Sequence, residues 1–149
     1  MKIAIGSEHG GFRLKEEIKA HLLKSGHCIT DMGTHDETSV DYPEYGEKVA
    51  LEVINGEVER GIVICGTGIG ISLAANKVKG IRCAPVSDVY SAMMCRKHNN
   101  CQMIALGGRT IGPELAFLLV DTFLKTEFEG GRHLRRINAV MEIENKKFE

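Results

Sequence analysis

Gly61-Ile62-Val63-Ile64-Cys65-Gly66-Thr67-Gly68-Ile69-Gly70 decides the fold of this 149-residue chain. Its first four residues are apolar and rich in β-branching, with no polar alternation. That pattern belongs to a strand buried on both faces of a parallel sheet. Three glycines then alternate with other residues before a stretch whose spacing predicts a helix over 69–78. A buried strand that turns through glycines into a helix is one βα unit of an α/β sheet.

The same unit recurs on both sides. Toward the N-terminus, Lys2–Gly6 reads as a strand and Phe12–Lys24 as a helix. Phe12, Leu14, Ile18, Leu22 and Leu23 fall roughly at helical spacing, and Ser25-Gly26 supplies a stop. His27–Met32 is a second strand, 33–42 a polar loop and Tyr45–Ile54 a helix closed by Asn55-Gly56. Toward the C-terminus come a strand over Gly80–Val86 and a helix over Asp88–His98, with Asp88 as N-cap. A strand over Gln102–Leu106 and a helix from Pro113 to Leu124 follow. Five strands alternating with helices predict one Rossmann-like α/β domain over 1–149, with a five-stranded parallel sheet and right-handed crossovers. Glu129-Gly130-Gly131 breaks the pattern. A charged amphipathic helix over about 132–146 then arrives after the sheet is complete, and it is expected to reach a neighbouring subunit.

Composition narrows the partners. Nineteen basic and 20 acidic side chains leave a net charge of −1, which argues against nucleic acid or an anionic membrane as the main partner. The five cysteines Cys28, Cys65, Cys83, Cys95 and Cys101 are odd in number and include no CxxC pair. A disulfide framework or zinc ribbon is therefore not expected, and reduced thiols in a cytoplasmic protein are. The first residues lack the apolar core of a signal peptide, and no apolar run approaches the roughly 20 residues of a membrane span.

In such sheets ligands bind beyond the carboxyl ends of the strands. Four loops lie there: 6–11, 65–70, 87–88 and 107–110. In the second, glycines let successive N–H groups converge on one spot at the start of a helix, which favours an anion or a developing oxyanion. Cys65 stands at its mouth, where positive potential favours a thiolate. Thr67 adds a hydroxyl. Taken alone, the loop reads more readily as a structural turn holding a buried cysteine than as a catalytic site.

Other motifs fail. Gly66-Thr67-Gly68-Ile69-Gly70 is GxGxG rather than GxGxxG, follows the third strand, and has Val86 and Ser87 where a dinucleotide site needs an acid. Gly6 and Gly11 have P-loop spacing, but Phe12-Arg13 replaces Lys-Ser/Thr. No cofactor is expected. None of the six histidines forms a compact ligand spacing, so no metal is expected either. His9 in its glycine-rich loop and His98-Asn99 at a helix end could both reach a site. Arg132 and Arg136, four apart, share a helical face and could clamp a phosphate, or simply form part of a solvated basic face with Arg135.

Together, GSEHGGFRLKE from Gly6, SVDYPEYG from Ser39, GIVICGTGIGISLAANKVKGIRCA from Gly61, His98-Asn99 and EGGRHLRRIN from Glu129 resemble the ribose-5-phosphate isomerase B family, which also holds the galactose-6-phosphate isomerase subunits. The resemblance runs over essentially the whole chain. It implies a three-layer Rossmann-like aldose–ketose isomerase acting on ribose 5-phosphate and ribulose 5-phosphate, without nucleotide or metal. It further implies a homodimer or homotetramer whose site lies at the subunit interface. By motif, Cys65 resembles the base that moves a proton between C2 and C1, and Thr67 the hydroxyl that assists at the oxygens. The amides from Gly66 through Gly68 to Gly70, with Asn99, resemble the enediolate hole. His98 resembles the ring-opening group. His9, Arg132 and Arg136 resemble phosphate contacts, and Tyr42 and Arg109 accessory residues. One branch of the family uses a carboxylate base on the following helix; Ser72-Leu73-Ala74-Ala75 offers none. Glu8 stands where the family usually has aspartate, still placed to bond sugar hydroxyls but one methylene longer, which bears on sugar preference.

Three other readings share these residues. One is an isomerase of a six-carbon sugar phosphate, galactose 6-phosphate or allose 6-phosphate. Another is a non-catalytic module that binds a phosphorylated sugar. The third is a cysteine-nucleophile hydrolase, which would need a histidine beside Cys65.

Overall fold

The computed structural model describes residues 1–146. Side-chain alternation along its strands builds two cores. Ile3, Ile5, Ile62, Ile64, Ile104 and Leu106 point to one face of the sheet, and Ala4, Val63, Cys65, Met103 and Ala105 to the other. Both faces are apolar because both are covered, giving the three layers that the pattern of elements predicts.

The strands are β1 (Lys2–Ser7), β2 (Cys28–Asp31), β3 (Arg60–Cys65), β4 (Cys83–Pro85) and β5 (Met103–Gly107). They pair in the order β2-β1-β3-β5-β4, all parallel. The bulkier face is covered by α1 (Phe12–Lys24), α4 (Val89–Lys97) and α5 (Pro113–Lys125), with Ile18, Leu22, Leu119 and Phe123 fully buried. The smaller face takes α2 (Tyr42–Ile54) and α3 (Ile69–Ala75). Those two helices cross closely: a β-carbon on Gly46 would stand 2.9 Å from the Ile71 carbonyl oxygen.

Several boundaries differ from the sequence pattern, each for a local reason. Helix α2 starts at Tyr42 rather than Tyr45, because Pro43 fits a first turn, where its missing N–H costs nothing. Helix α3 stops at Ala75 rather than Val78. The Asn76 side chain turns instead to Cys83, accepting its N–H and donating to its carbonyl, each at 2.8 Å. Strand β4 is only three residues long, since the Gly80 and Arg82 amides bond to the side chains of Glu144 and Gln102 rather than to a ladder. Asp88 caps α4 as expected, accepting the Ser91 N–H at 2.7 Å. Among the described residues no helix is long and apolar enough to cross a membrane.

The last helix, α6 (Arg132–Glu144), stands apart from both cores. It buries His133 and Ile137 but leaves Leu134, Val140 and Ile143 about half exposed.

Candidate active site

Strands β1 and β3 are neighbours whose connections leave in opposite directions, so a crevice opens beyond their carboxyl ends. Cys65 is the last residue of β3, and its sulfur accepts the Gly68 N–H at 3.1 Å. Gly68 can aim that donor because it lies at φ +78°, and because a β-carbon there would meet the Leu106 carbonyl carbon at 2.9 Å. The exposed Thr67 hydroxyl accepts the Ile69 N–H at 3.3 Å. The loop after β5 docks alongside. Gly108 N–H donates to the Cys65 carbonyl at 2.8 Å, and Arg109 N–H to that of Gly66 at 3.0 Å.

Glu8 and His9 close the other wall. Glu8 is buried; its Oε2 lies 2.9 Å from His9 Nδ1, while its Oε1 has no partner. His9 Nδ1 also lies 3.2 Å from the Val40 amide nitrogen. The Val40 N–H donates to that ring nitrogen, so Nδ1 of the neutral ring is an acceptor, and the Glu8 oxygen is a close neighbour rather than its hydrogen-bond acceptor. The Arg109 side chain covers Gly10 and Gly66: a β-carbon on Gly10 would stand 3.2 Å from a guanidinium nitrogen and 2.8 Å from Glu8 Oε1. The Tyr42 ring lies over Gly70 in the same way. Glu8, His9, Tyr42, Cys65, Gly66, Thr67, Gly68, Gly70 and Arg109 therefore share one edge.

The remaining sequence-expected residues lie elsewhere. His98 caps the C-terminus of α4, which runs back toward the start of β5, so His98 and Asn99 sit at the amino end of the strands. A five-residue strand separates the two ends by on the order of 15 Å. Here a cavity of about 650 Å³ opens between α6 and the sheet, lined by Arg82, His98, Asn99, His133, Arg136 and Val140 among others. Cys65 does not line it. The His98 and His133 rings stack at 4.2 Å, within 8° of parallel. Burial pushes the His133 imidazole below its ordinary pKa, and His98 and Arg132 add to the effect.

The model of the Ribose/Galactose Isomerase family matches residues 3–140. The chain belongs to that family. It is 49% identical over 146 residues to the Escherichia coli K12 protein named ribose-5-phosphate isomerase B, covering 98% of each chain. The solved structure of Clostridium thermocellum ribose-5-phosphate isomerase B superposes with a TM-score of 0.96 at 56% identity, covering 97% of this chain and 98% of that one. Ribose-5-phosphate isomerase B from Mycoplasma genitalium, solved with bound ribulose-5-phosphate, gives 0.92 at 38% identity, covering 98% and 97%.

Within this isomerase fold, several residues that shape the two ends escaped the motif reading. Arg82 donates to the Asn99 carbonyl at 2.9 Å and to the Asn100 carbonyl at 3.0 Å, holding the turn after His98. Asn100 takes φ 45° there, a left-handed conformation that asparagine tolerates at a helix end. Glu129 N–H bonds to the Lys97 carbonyl at 3.1 Å, fastening the segment before α6 onto α4. Near the first end, Lys15 is fully buried, and its ammonium donates to both Asp31 oxygens at 2.8 Å. Burial alone would raise the Asp31 carboxyl, but bonds from Lys15, Lys19 and the Gly33 N–H hold it at about 2. Only Asn100, in the pair Asn99-Asn100, carried a local signal, as a helix-ending residue; the rest act through contacts between distant segments.

Proposed function

We propose that this chain interconverts ribose 5-phosphate and ribulose 5-phosphate through an enediolate, with Cys65 as the base. The observation that carries the reading is the Cys65 sulfur held at a strand end by the Gly68 N–H, with Thr67 beside it, in a chain so similar to ribose-5-phosphate isomerases B.

In this mechanism the Cys65 thiolate takes the C2 proton of the open-chain aldose. The electrons form a C1=C2 bond and push charge onto O1, where the loop amides and the Asn99 side chain receive it. Thr67 passes a proton between O1 and O2, and the Cys65 thiol returns its proton to C1. The buried, unpartnered Oε1 of Glu8 suits a sugar hydroxyl donor. His9, Arg132 and Arg136 hold the phosphate, and His98 opens the furanose by moving a proton from the anomeric hydroxyl to the ring oxygen.

Because Cys65 and His98 lie at opposite ends of one sheet, a working site takes His98, Asn99, Arg132 and Arg136 from a second copy. The protein is thus read as a homodimer, alone or paired into a tetramer, with the site at the interface. The exposed Leu134, Val140 and Ile143 on α6 supply apolar surface for such a contact.

The family's description names galactose as well as ribose, which keeps a six-carbon sugar phosphate as the second reading. Turnover across five- and six-carbon sugar phosphates, with Cys65→Ala as control, tests both. Ribose 5-phosphate should be the fastest substrate. Preference for galactose 6-phosphate or allose 6-phosphate selects the second reading, and binding without turnover removes both.

A further inference from the structure

At the amino end of the strands, three side chains from two separate segments converge. His98 closes α4, Glu129 precedes α6 and His133 lies in its first turn. Each offers one ligand atom, and the three atoms lie within 4.8 Å of one another. Glu129 Oε2 stands 3.6 Å from His133 Nε2 and 4.0 Å from His98 Nε2. Bonds of about 2.0–2.1 Å in a tetrahedral zinc site put ligand atoms about 3.3 Å apart. Each carboxylate–imidazole pair is therefore within about 1 Å of that spacing.

We propose that His98, Glu129 and His133 form a binding site for a zinc-like transition-metal dication, and that its occupation withdraws His98 from sugar-phosphate chemistry. Binding stands on this geometry alone; the inhibitory half rests on the reading in which His98 opens the sugar ring.

The surroundings favour ligation in two ways. First, the carboxylate divides its oxygens. Lys97 Nζ holds Oε1 at 3.4 Å, which turns Oε2 toward the imidazoles, as an orienting partner does in metal sites. Second, the backbone fixes the spacing, since Glu129 N–H bonds to the Lys97 carbonyl and His133 N–H to that of Gly130, at 3.1 and 3.0 Å.

Two features oppose it and set its character. The stacked rings aim their lone pairs side by side, so His98, the more exposed ring, must fan outward to share an ion with the nearly buried His133. Lys97, Arg132 and Arg136 add positive charge nearby. Both argue for a site that loads reversibly rather than one holding a permanent ion. Two imidazoles and one carboxylate select zinc, nickel or cobalt over magnesium.

The test is a calorimetric titration of the full-length protein with Zn²⁺ and, separately, Mg²⁺, repeated on Glu129→Gln and His133→Ala. Cobalt(II) absorption on the same proteins reads out thiolate ligation, because Cys28 is exposed and could compete. Expected are one zinc per chain, at least about tenfold weaker binding in both variants, no sulfur-to-cobalt band and no magnesium binding. Undiminished zinc affinity in both variants, a thiolate band, or no binding at all overturns the site. Chelator-reversible loss of ribose 5-phosphate turnover in wild type supports the inhibitory half, and unchanged turnover with the site loaded overturns it. Protein that turns over no sugar phosphate even when metal-free would remove the isomerase reading and leave the zinc titration to decide the site.

Discussion

At the carboxyl end of the strands, Cys65, Gly66 and Gly68 are placed by backbone. The sulfur takes an amide, the carbonyls of 65 and 66 take two more, and glycines let the three loops touch. At the amino end, one backbone bond ties Glu129 to Lys97, and side chains add the rest: a stack of His98 on His133, Arg82 on the turn at 99–100, and a cavity lined by Arg136 under a lightly anchored helix. The hydrogen bonds at the first end form without a ligand, as the proposed stabilisation of developing charge requires. The second borders a cavity of about 650 Å³, which suits the phosphate-binding and ring-opening roles proposed for its residues. The contrast predicts that damage at the first end falls on the chemical step and damage at the second on binding.

The hardest test of that division is Cys65→Ala. Turnover of ribose 5-phosphate should fall by about 10³-fold or more, while calorimetry still detects sugar-phosphate binding. Loss of binding in step with turnover would erase the distinction between the ends. Asp31→Asn comes next. Asp31 braces the first end, accepting the Gly33 N–H at 3.0 Å, while the Gly33 carbonyl takes the Ser7 N–H at 2.6 Å. The substitution leaves the buried Lys15 ammonium only its Glu16 carboxylate contact at 2.7 Å and should cost about 2 kcal/mol in urea unfolding at neutral pH. The folded carboxyl lies at about 2, below the unfolded value of about 3.9, so its contribution is complete above about pH 4 and fades as pH falls toward 2. The difference between wild type and variant should shrink over that window, and a gap constant down to pH 2 would contradict the brace.

Arg136→Ala probes the other end. KM for ribose 5-phosphate should rise about ten- to a hundredfold with kcat little changed, and binding of free ribose should be unaffected. Equal losses for both sugars would reject the phosphate clamp. The smallest effect concerns the turn after His98. Asn100→Ala should lower stability by about 1 kcal/mol more than Asn100→Gly, because both lose the Arg96 bond to Asn100 Oδ1 at 2.8 Å while glycine alone keeps the positive φ without strain. Equal costs for the two would mean that the backbone there is not the constraint.

The sequence made the two ends legible to different degrees. The first is local: Gly61 to Gly70 contains strand, turn and cysteine in one run, so its geometry shows in the order of the residues, while the role of the sulfur was implied by the family resemblance. Helix α1 and the Asp88 cap were equally readable, because periodicity and capping act within a few residues. The second end is assembled from 82, 98–100, 129 and 132–136, and no short-range pattern reports that Arg82 meets Asn99 or that His133 stacks on His98. The short β4 and the early stop of α3 were missed for the same reason. Asn76, Gln102 and Glu144 divert backbone groups that would otherwise continue a ladder or a helix. Family resemblance named His98, Asn99, Arg132 and Arg136 as site residues, but their distance from Cys65 along the sheet emerged only in three dimensions.

The claim that one site joins the carboxyl end of one chain to the amino end of another is tested most directly by complementation. Cys65→Ala and His98→Ala chains, each tagged differently and co-expressed, should yield a hybrid dimer with one intact site and about half the wild-type turnover, although each variant alone is impaired. A purified hybrid no more active than the two parent variants would contradict the account.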